Sequence, residues 1–185
     1  AVLRWSPGPP VPGVPDNPTP ARVLNLSLGI DGGCSQTYQD AVTAVTTKVN
    51  PAVVVAAAGN STGHTVGRPA NCVGVIGVAG LRHVGTKVGF SDLGPEISIS
   101  APGGNYVNDS DSMPCLYPIL HATYPGVTTP AASAYTEHFH YSGGHTFSAP
   151  MVAGAACLIV SGTPATPQPD INPTHRPHDD AARHG

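Results

Sequence analysis

Residues 53–58 read Val-Val-Val-Ala-Ala-Ala, an apolar run without a polar break, stopped by Gly59-Asn60. A strand wetted on one side alternates apolar with polar residues. An unbroken run of this length is buried on both faces, as in a parallel sheet. Such a strand needs a partner on each edge and a cover on each face. Residues 23–28, Val-Leu-Asn-Leu-Ser-Leu, supply a short apolar strand ending at Gly29. Residues 36–49 supply a helix: Tyr38, Ala41, Val42, Val45 and Val49 fall on one apolar stripe, Ser35 stands where a cap belongs, and Asn50-Pro51 ends it. Strand, helix, strand at this spacing is a βαβ unit, which predicts an α/β domain with a mainly parallel, helix-flanked sheet. Residues 73–78 and 97–100 read as two further strands. Residues 147–160 read as a helix of small side chains suited to close packing, with Pro150 in its first turn.

Composition limits what such a domain does. A net charge of −3 leaves no basic field for nucleic acid. No stretch reaches the roughly 18 apolar residues of a spanning helix, so no membrane partner is expected. Charged residues are 10% of the chain, against about a quarter in typical domains. Residues 6–20 hold seven prolines and read as an extended connector, so the domain is expected over 22–161 after a connector at 1–21. Beyond Gly162 the chain turns to Pro, His, Asp and Arg, which predicts a disordered polar tail over 162–185. The chain opens Ala-Val-Leu-Arg-Trp without Met or a signal peptide, so an N-terminal part is expected to be missing. The four cysteines, Cys34, Cys72, Cys115 and Cys157, make no Cys-x-x-Cys pair.

Three segments carry chemistry. Asn60 stands at the carboxyl end of the doubly buried strand, where open α/β sheets place their ligands. A side-chain amide there can donate to an oxyanion on a scissile carbonyl; Gly59-Asn60 also reads as a plain turn. Asn25-Leu26-Ser27-Leu28-Gly29 reads as a strand whose edge can pair with an extended peptide, or as an ordinary buried strand. Gly144-His145-Thr146-Phe147-Ser148-Ala149-Pro150-Met151-Val152-Ala153-Gly154 places a hydroxyl at a helix start, where free N–H groups and the dipole favour negative charge.

This last segment resembles the nucleophile motif of subtilisin-like serine peptidases, Gly-Thr-Ser-x-Ala/Ser-x-Pro-x-Val-Ala-Gly. Four other segments stand in the family's order: Asn25–Gly29, Val53–Asn60, Pro69-Ala70-Asn71-Cys72 with Val75–Val78, and Phe90–Gly94 with Ile99–Gly103. The resemblance covers roughly residues 22–160. It implies a serine endopeptidase acting through an acyl-enzyme on peptide or protein substrates, with Asn60 in the oxyanion hole. It implies that Ser27, Leu28 and Gly29 form one wall of a substrate pocket and Ala57, Ala58 and Gly59 the other, with small residues leaving room for a large apolar P1 side chain. The Pro-Ala-Asn-Cys variant is similar to secreted Gram-negative members, which implies extracellular localisation and a Cys34–Cys72 disulfide; two buried thiols remain the alternative. Cys157 is expected to be a small buried residue.

Two departures bear on activity. The register puts Thr146 where the family has its serine, and a β-branched side chain is stiff at χ1. The family's Asp-Ser/Thr-Gly and His-Gly-Thr segments do not occur. The catalytic triad therefore has at most one position here, and the family's first strands and catalytic-His helix are expected to be absent. The chain alone is then inactive, a peptidase fragment whose partner is the missing half of the domain, or a pseudoprotease that binds peptide without cleaving it. A third reading starts from the group His138, His140 and His145: alternation on a strand puts His138 and His140 on one face as a pair of metal ligands, with solvated loop histidines as the alternative. No other cofactor is expected; the family admits calcium, with no ligands assignable from this sequence.

Overall fold

The computed structural model describes residues 19–47, 51–104, 119–123, 134–136 and 145–162 of the 185-residue chain. Four strands, β1 (Val23–Leu26), β2 (Val53–Ala57), β3 (Val75–Leu81) and β4 (Ile97–Pro102), form one sheet in the order β1-β2-β3-β4. Every pairing in it is parallel. Helix α1 (Gln36–Thr46) connects β1 to β2, and helix α2 (His145–Gly162) closes the described chain. A short antiparallel pair, β5 (His121–Thr123) and β6 (Ala134–Thr136), stands apart from the sheet. This is the α/β architecture expected from the unbroken apolar run.

β2 is the strand on which the layers meet. Val54, Ala56 and Ala58 pack into one core with Val42 and Val45 of α1. Val53, Val55 and Ala57 pack into a second core with Ala149, Ala153, Ala156 and Val160 of α2. Residues i and i+2 share a strand face, and residues three and four apart share a helix face, so one sequence run feeds both cores. Fully burying a valine side chain stabilises by about 1.5–3 kcal/mol. The alanine stripe of α2 lets that helix lie close against the sheet.

Several boundaries moved from their expected places. α1 stops at Thr46, and Val49 lies outside the described residues. Ser35 takes the N-cap position with extended backbone but makes no side-chain capping bond. β3 begins at Val75, not Val73. The main chain of Val73 is held by the Gln39 side chain, whose amide donates to Val73 O (3.0 Å) and whose carbonyl accepts from Val73 N (3.0 Å). Val73 is thereby taken from the ladder and left 81% exposed. α2 starts two residues early, so Pro150 is its sixth residue and lies beyond the first turn. Cys157 is exposed rather than buried. It follows Ala156 by about 100° of helix rotation, which carries it off the buried stripe.

The loops that follow β1 and β2 are tied together. Cys34 and Cys72 form a disulfide across a sequence separation of 38. Ile30 and Arg68 exchange both main-chain bonds (2.9 and 3.0 Å), and the Asn71 amide donates to Gly32 O and Val66 O. The free-energy gain from a cross-link comes largely from the loop it closes in the unfolded chain. Replacing both Cys34 and Cys72 by Ala is expected to cost about 2–4 kcal/mol in denaturant unfolding; an unchanged midpoint would contradict this.

One carboxylate is buried in this framework. Asp92 is 1% exposed, and burial raises its pKa. Its bonds from the Ser61 and His64 amides and the charge of His64 pull the value down, and the charge of Asp31 adds to the rise; the net shift is upward. A carboxyl with a higher pKa folded than unfolded holds its proton more tightly in the native state. Its contribution to stability is present at low pH and lost as pH rises from the ordinary carboxylate value through the raised one. Asp92→Asn keeps the shape and never ionises. Its melting temperature relative to the unsubstituted chain is expected to increase as pH is raised from about 4 to about 7. A difference that does not change with pH in paired thermal melts would contradict this.

Candidate active site

β1 and β2 are parallel neighbours, so their following loops leave the sheet at the same end. Between these loops lies a cleft of about 290 Å³. Ser27, Leu28 and Gly29 line it from the β1 side, and Ala57, Ala58 and Gly59 from the β2 side, with Asn60 next to them. All seven of these sequence-selected residues therefore meet in one concave site. Side chains along β2 shrink from valine at residues 53–55 to alanine at 56–58, which opens space where the loops diverge. β1 ends at Leu26, so Ser27–Gly29 continue beyond the ladder instead of forming its last rungs.

Four further lining residues were not selected from the sequence: Ile30, Asp31, Ser61 and Gly67. They come from the segments that cross-link the two loops, and no family motif marks them. Asp31 is the ionisable group of the lining.

The loop carrying Asn60 is strapped along its length to residues 90–93. Asp92 N donates to Gly59 O (3.1 Å), Thr62 N to Phe90 O (3.0 Å), Gly63 N to Ser91 O (3.1 Å) and Leu93 N to His64 O (3.0 Å). The Asp92 carboxylate adds two more bonds: Oδ1 accepts from Ser61 N (2.9 Å) and His64 N (3.1 Å). Gly59 has φ +123°, and a Cβ there would collide with Asp92 Oδ2, so this position needs glycine on both counts. Thr62 is held at φ 61°, a region that a β-branched residue enters only when its surroundings require it.

The strapping segment is itself anchored. Lys87 Nζ donates to the carbonyls of Val88 (3.1 Å), Gly89 (2.7 Å) and Ser91 (3.1 Å). Ser91 Oγ accepts from Gly80 N of β3 (3.0 Å) and donates to Asp92 O (3.1 Å). Asp92 was quoted in the sequence only as part of a family string. A lone carboxylate between Phe90 and Leu93 in so charge-poor a chain was the signal that could have singled it out.

Thr146 is the second residue of α2 and so stands in its first turn. Ser148, the other hydroxyl of this segment, is fully buried and donates to Pro102 O (3.1 Å). It is committed to packing α2 onto β4. The rings of His121 and Phe147 meet at a tilt of 48° with centroids 4.8 Å apart, which joins β5 to the start of α2. His138 and His140 lie outside the described residues, as do Cys115, most of the Pro-rich connector and the tail beyond Gly162. No group of three or more potential metal ligands occurs among the described residues.

This geometry has known counterparts. An extracellular protease of Xanthomonas campestris pv. campestris is 35% identical over 169 residues, 91% of this chain and 26% of that protein. An extracellular basic protease of Dichelobacter nodosus is 32% identical over 86% of this chain and 23% of its own length. Among solved structures, a protease of Pseudoalteromonas arctica superposes with a TM-score of 0.76 at 36% identity, covering 92% of this chain and 47% of that one. This chain thus spans less than half the length of each of these relatives. The model of the Peptidase S8 subtilase family matches residues 11–175, and the chain belongs to that family.

Proposed function

We propose that this chain is the substrate-binding and nucleophile-bearing part of a secreted serine endopeptidase, inactive by itself. The observation that carries the reading is the single cleft formed by Ser27–Gly29, Ala57–Gly59 and Asn60 at the carboxyl ends of adjacent parallel strands. An extended peptide lies along the main chain of residues 25–29, its P1 side chain entering between the two walls. The alanines and glycines of the walls leave room for a large apolar group. The Asn60 amide donates to the oxygen of the scissile carbonyl as negative charge develops there. The residue at 146 occupies the attacking position, with the helix N-terminus favouring the developing charge. Known threonine nucleophiles mostly take their own terminal amine as base, and Thr146 is internal. No family segment in this chain brings a histidine base or its orienting aspartate.

The surface supports a complementing segment of the same domain as partner. β1 is an edge of the sheet. The outer side of α2 exposes Met151 (41%), Leu158 (75%) and Ile159 (47%). An open strand edge beside uncovered apolar side chains is a liability in a finished domain and an interface in an unfinished one. Secretion is supported by the disulfide and by relatives named as extracellular proteases. No described helix is long and apolar enough to cross a membrane. The second reading, a pseudoprotease that holds peptide without cleaving it, is favoured by a formed cleft combined with threonine at 146.

A fluorophosphonate probe is expected to leave the isolated chain unlabelled; stoichiometric labelling of Thr146 would overturn the inactive reading. Thr146→Ser alone is expected to restore nothing. Supplying an upstream subtilase segment that carries the aspartate and histidine motifs, together with Thr146→Ser, is expected to restore peptide hydrolysis. In that assembly Asn60→Ala is expected to lower kcat by about 10²–10³-fold, the loss known for an oxyanion donor of subtilisin. Peptide binding without turnover in the same assembly would establish the pseudoprotease.

A further inference from the structure

We infer that Asp92 is the positioning residue of the oxyanion site: its carboxylate clasps the loop on both sides of Asn60 and fixes where that amide points. The inference rests on Asn60 being the oxyanion donor.

The geometry of the clasp is specific. A single oxygen, Oδ1, accepts from the residue directly after Asn60 and from His64. The main-chain N–H of Asp92 holds Gly59 O, directly before Asn60. Oδ2 stands against the Cα side of Gly59, which has no Cβ to fend it off. Asn60 is therefore flanked by two residues that one aspartate grips, by backbone on one side and by side chain on the other. The carboxylate is buried and separated from the cleft by the loop it holds, so it touches no substrate.

Two other bonds of this loop act further from Asn60. The bonds from Thr62 N and Gly63 N run to main-chain carbonyls of Phe90 and Ser91, further along the loop. They would hold a turn of some kind without setting the residue beside Asn60. An oxyanion donor must sit within hydrogen-bond distance of an oxygen that moves as the carbonyl becomes tetrahedral, so small rotations of the loop matter. A buried carboxylate is costly to desolvate, and its retention here is accounted for by two N–H groups that no other acceptor satisfies. Two other charged groups bear on it: His64, at the end of the clasped loop, and Asp31, across the cleft.

The test uses the chain as it is and two probes, the tetrapeptide Ala-Ala-Ala-Phe ending in a free carboxylate and the same peptide ending in a carboxamide. A product carboxylate places a charged oxygen where the oxyanion would sit, so Asn60 should give the carboxylate form a preference of about tenfold. Asn60→Ala is expected to abolish that preference, and so is Asp92→Ala, with binding of the carboxamide peptide retained. Asp92→Asn, which keeps an oxygen at the clasp, is expected to preserve the preference. Amide exchange at Ser61 and His64 is expected to accelerate by at least about tenfold in Asp92→Ala and to stay slow in Asp92→Asn.

A folded Asp92→Ala chain that keeps the preference and the slow exchange overturns the inference. So does an Asp92→Asn chain that folds and loses the preference as completely as Asn60→Ala. If Asp92→Ala does not fold, Asp92→Glu decides: it retains the charge but displaces the oxygens by a methylene, and an unchanged preference in it overturns the clasp. If neither peptide binds the unsubstituted chain, the cleft reading fails. The clasp is then judged on exchange alone, where unchanged rates in Asp92→Ala or Asp92→Glu overturn it.

Discussion

β2 is paired along both edges and packed on both faces, and the rest of the structure depends on that saturation. Its neighbours β1 and β3 take up the main-chain groups, and α1 and α2 cover opposite faces. A slip of one residue would send Val53 and Val55 to the side that receives Val54 and Ala56. Both covers are shaped for their own set, the α2 side by alanines and the α1 side by Val42 and Val45. The register is therefore fixed from four directions. Gly59 and Asn60 emerge from the sheet at a set height because nothing upstream of them can shift.

A rigid strand alone does not make a site. The chain leaves β2 as a loop, and the order of that loop comes from polar groups. The disulfide and the Ile30–Arg68 exchange draw it toward the loop after β1, which sets the width of the cleft. Residues 90–93 hold it from below. Almost all of these ties are uncharged, in keeping with a chain of only 10% charged residues. Lys87, Asp92 and Arg68, whose Nη1 donates to Gly33 O (3.2 Å), are the exceptions. Lys87 spends its charge on three carbonyls of the strapping segment and Asp92 on two amides of the loop it straps. Charge-assisted bonds are stronger than neutral ones, so the scarce charges stand where local order is most demanding.

Much of this was legible in the residues. The unbroken run at 53–58 implied double burial, the stripe in α1 implied one cover, and the small residues of α2 implied the other. Strand direction then placed Asn60 and Ser27–Gly29 at the same end of the sheet. What escaped the sequence has a common cause. Val73 was lost from its strand because the side chain of Gln39, 34 residues upstream, satisfies its main chain. Cys157 was misplaced because α2 carries apolar residues on its exposed side as well, Met151, Leu158 and Ile159 among them, so its pattern does not announce which side faces the sheet. Asp92 was overlooked because its partners are main-chain amides about 30 residues away, which leave no mark in local pattern. Periodicity reports burial; it is silent on side chains that act on a distant backbone.

The same reasoning applies to the start of α2. The first turns of α2 are held by Ala149, with no exposed surface, and by the Ser148 bond to Pro102. Pro150 has no N–H to offer the carbonyl four residues before it, that of Thr146, so this turn relies on its packing against the sheet more than on helical bonds. The Asn60 loop is likewise held from beneath, by Asp92 and residues 90–93. The cleft and the Asn60 loop thus share residues and ties, whereas the start of α2 is held through β4.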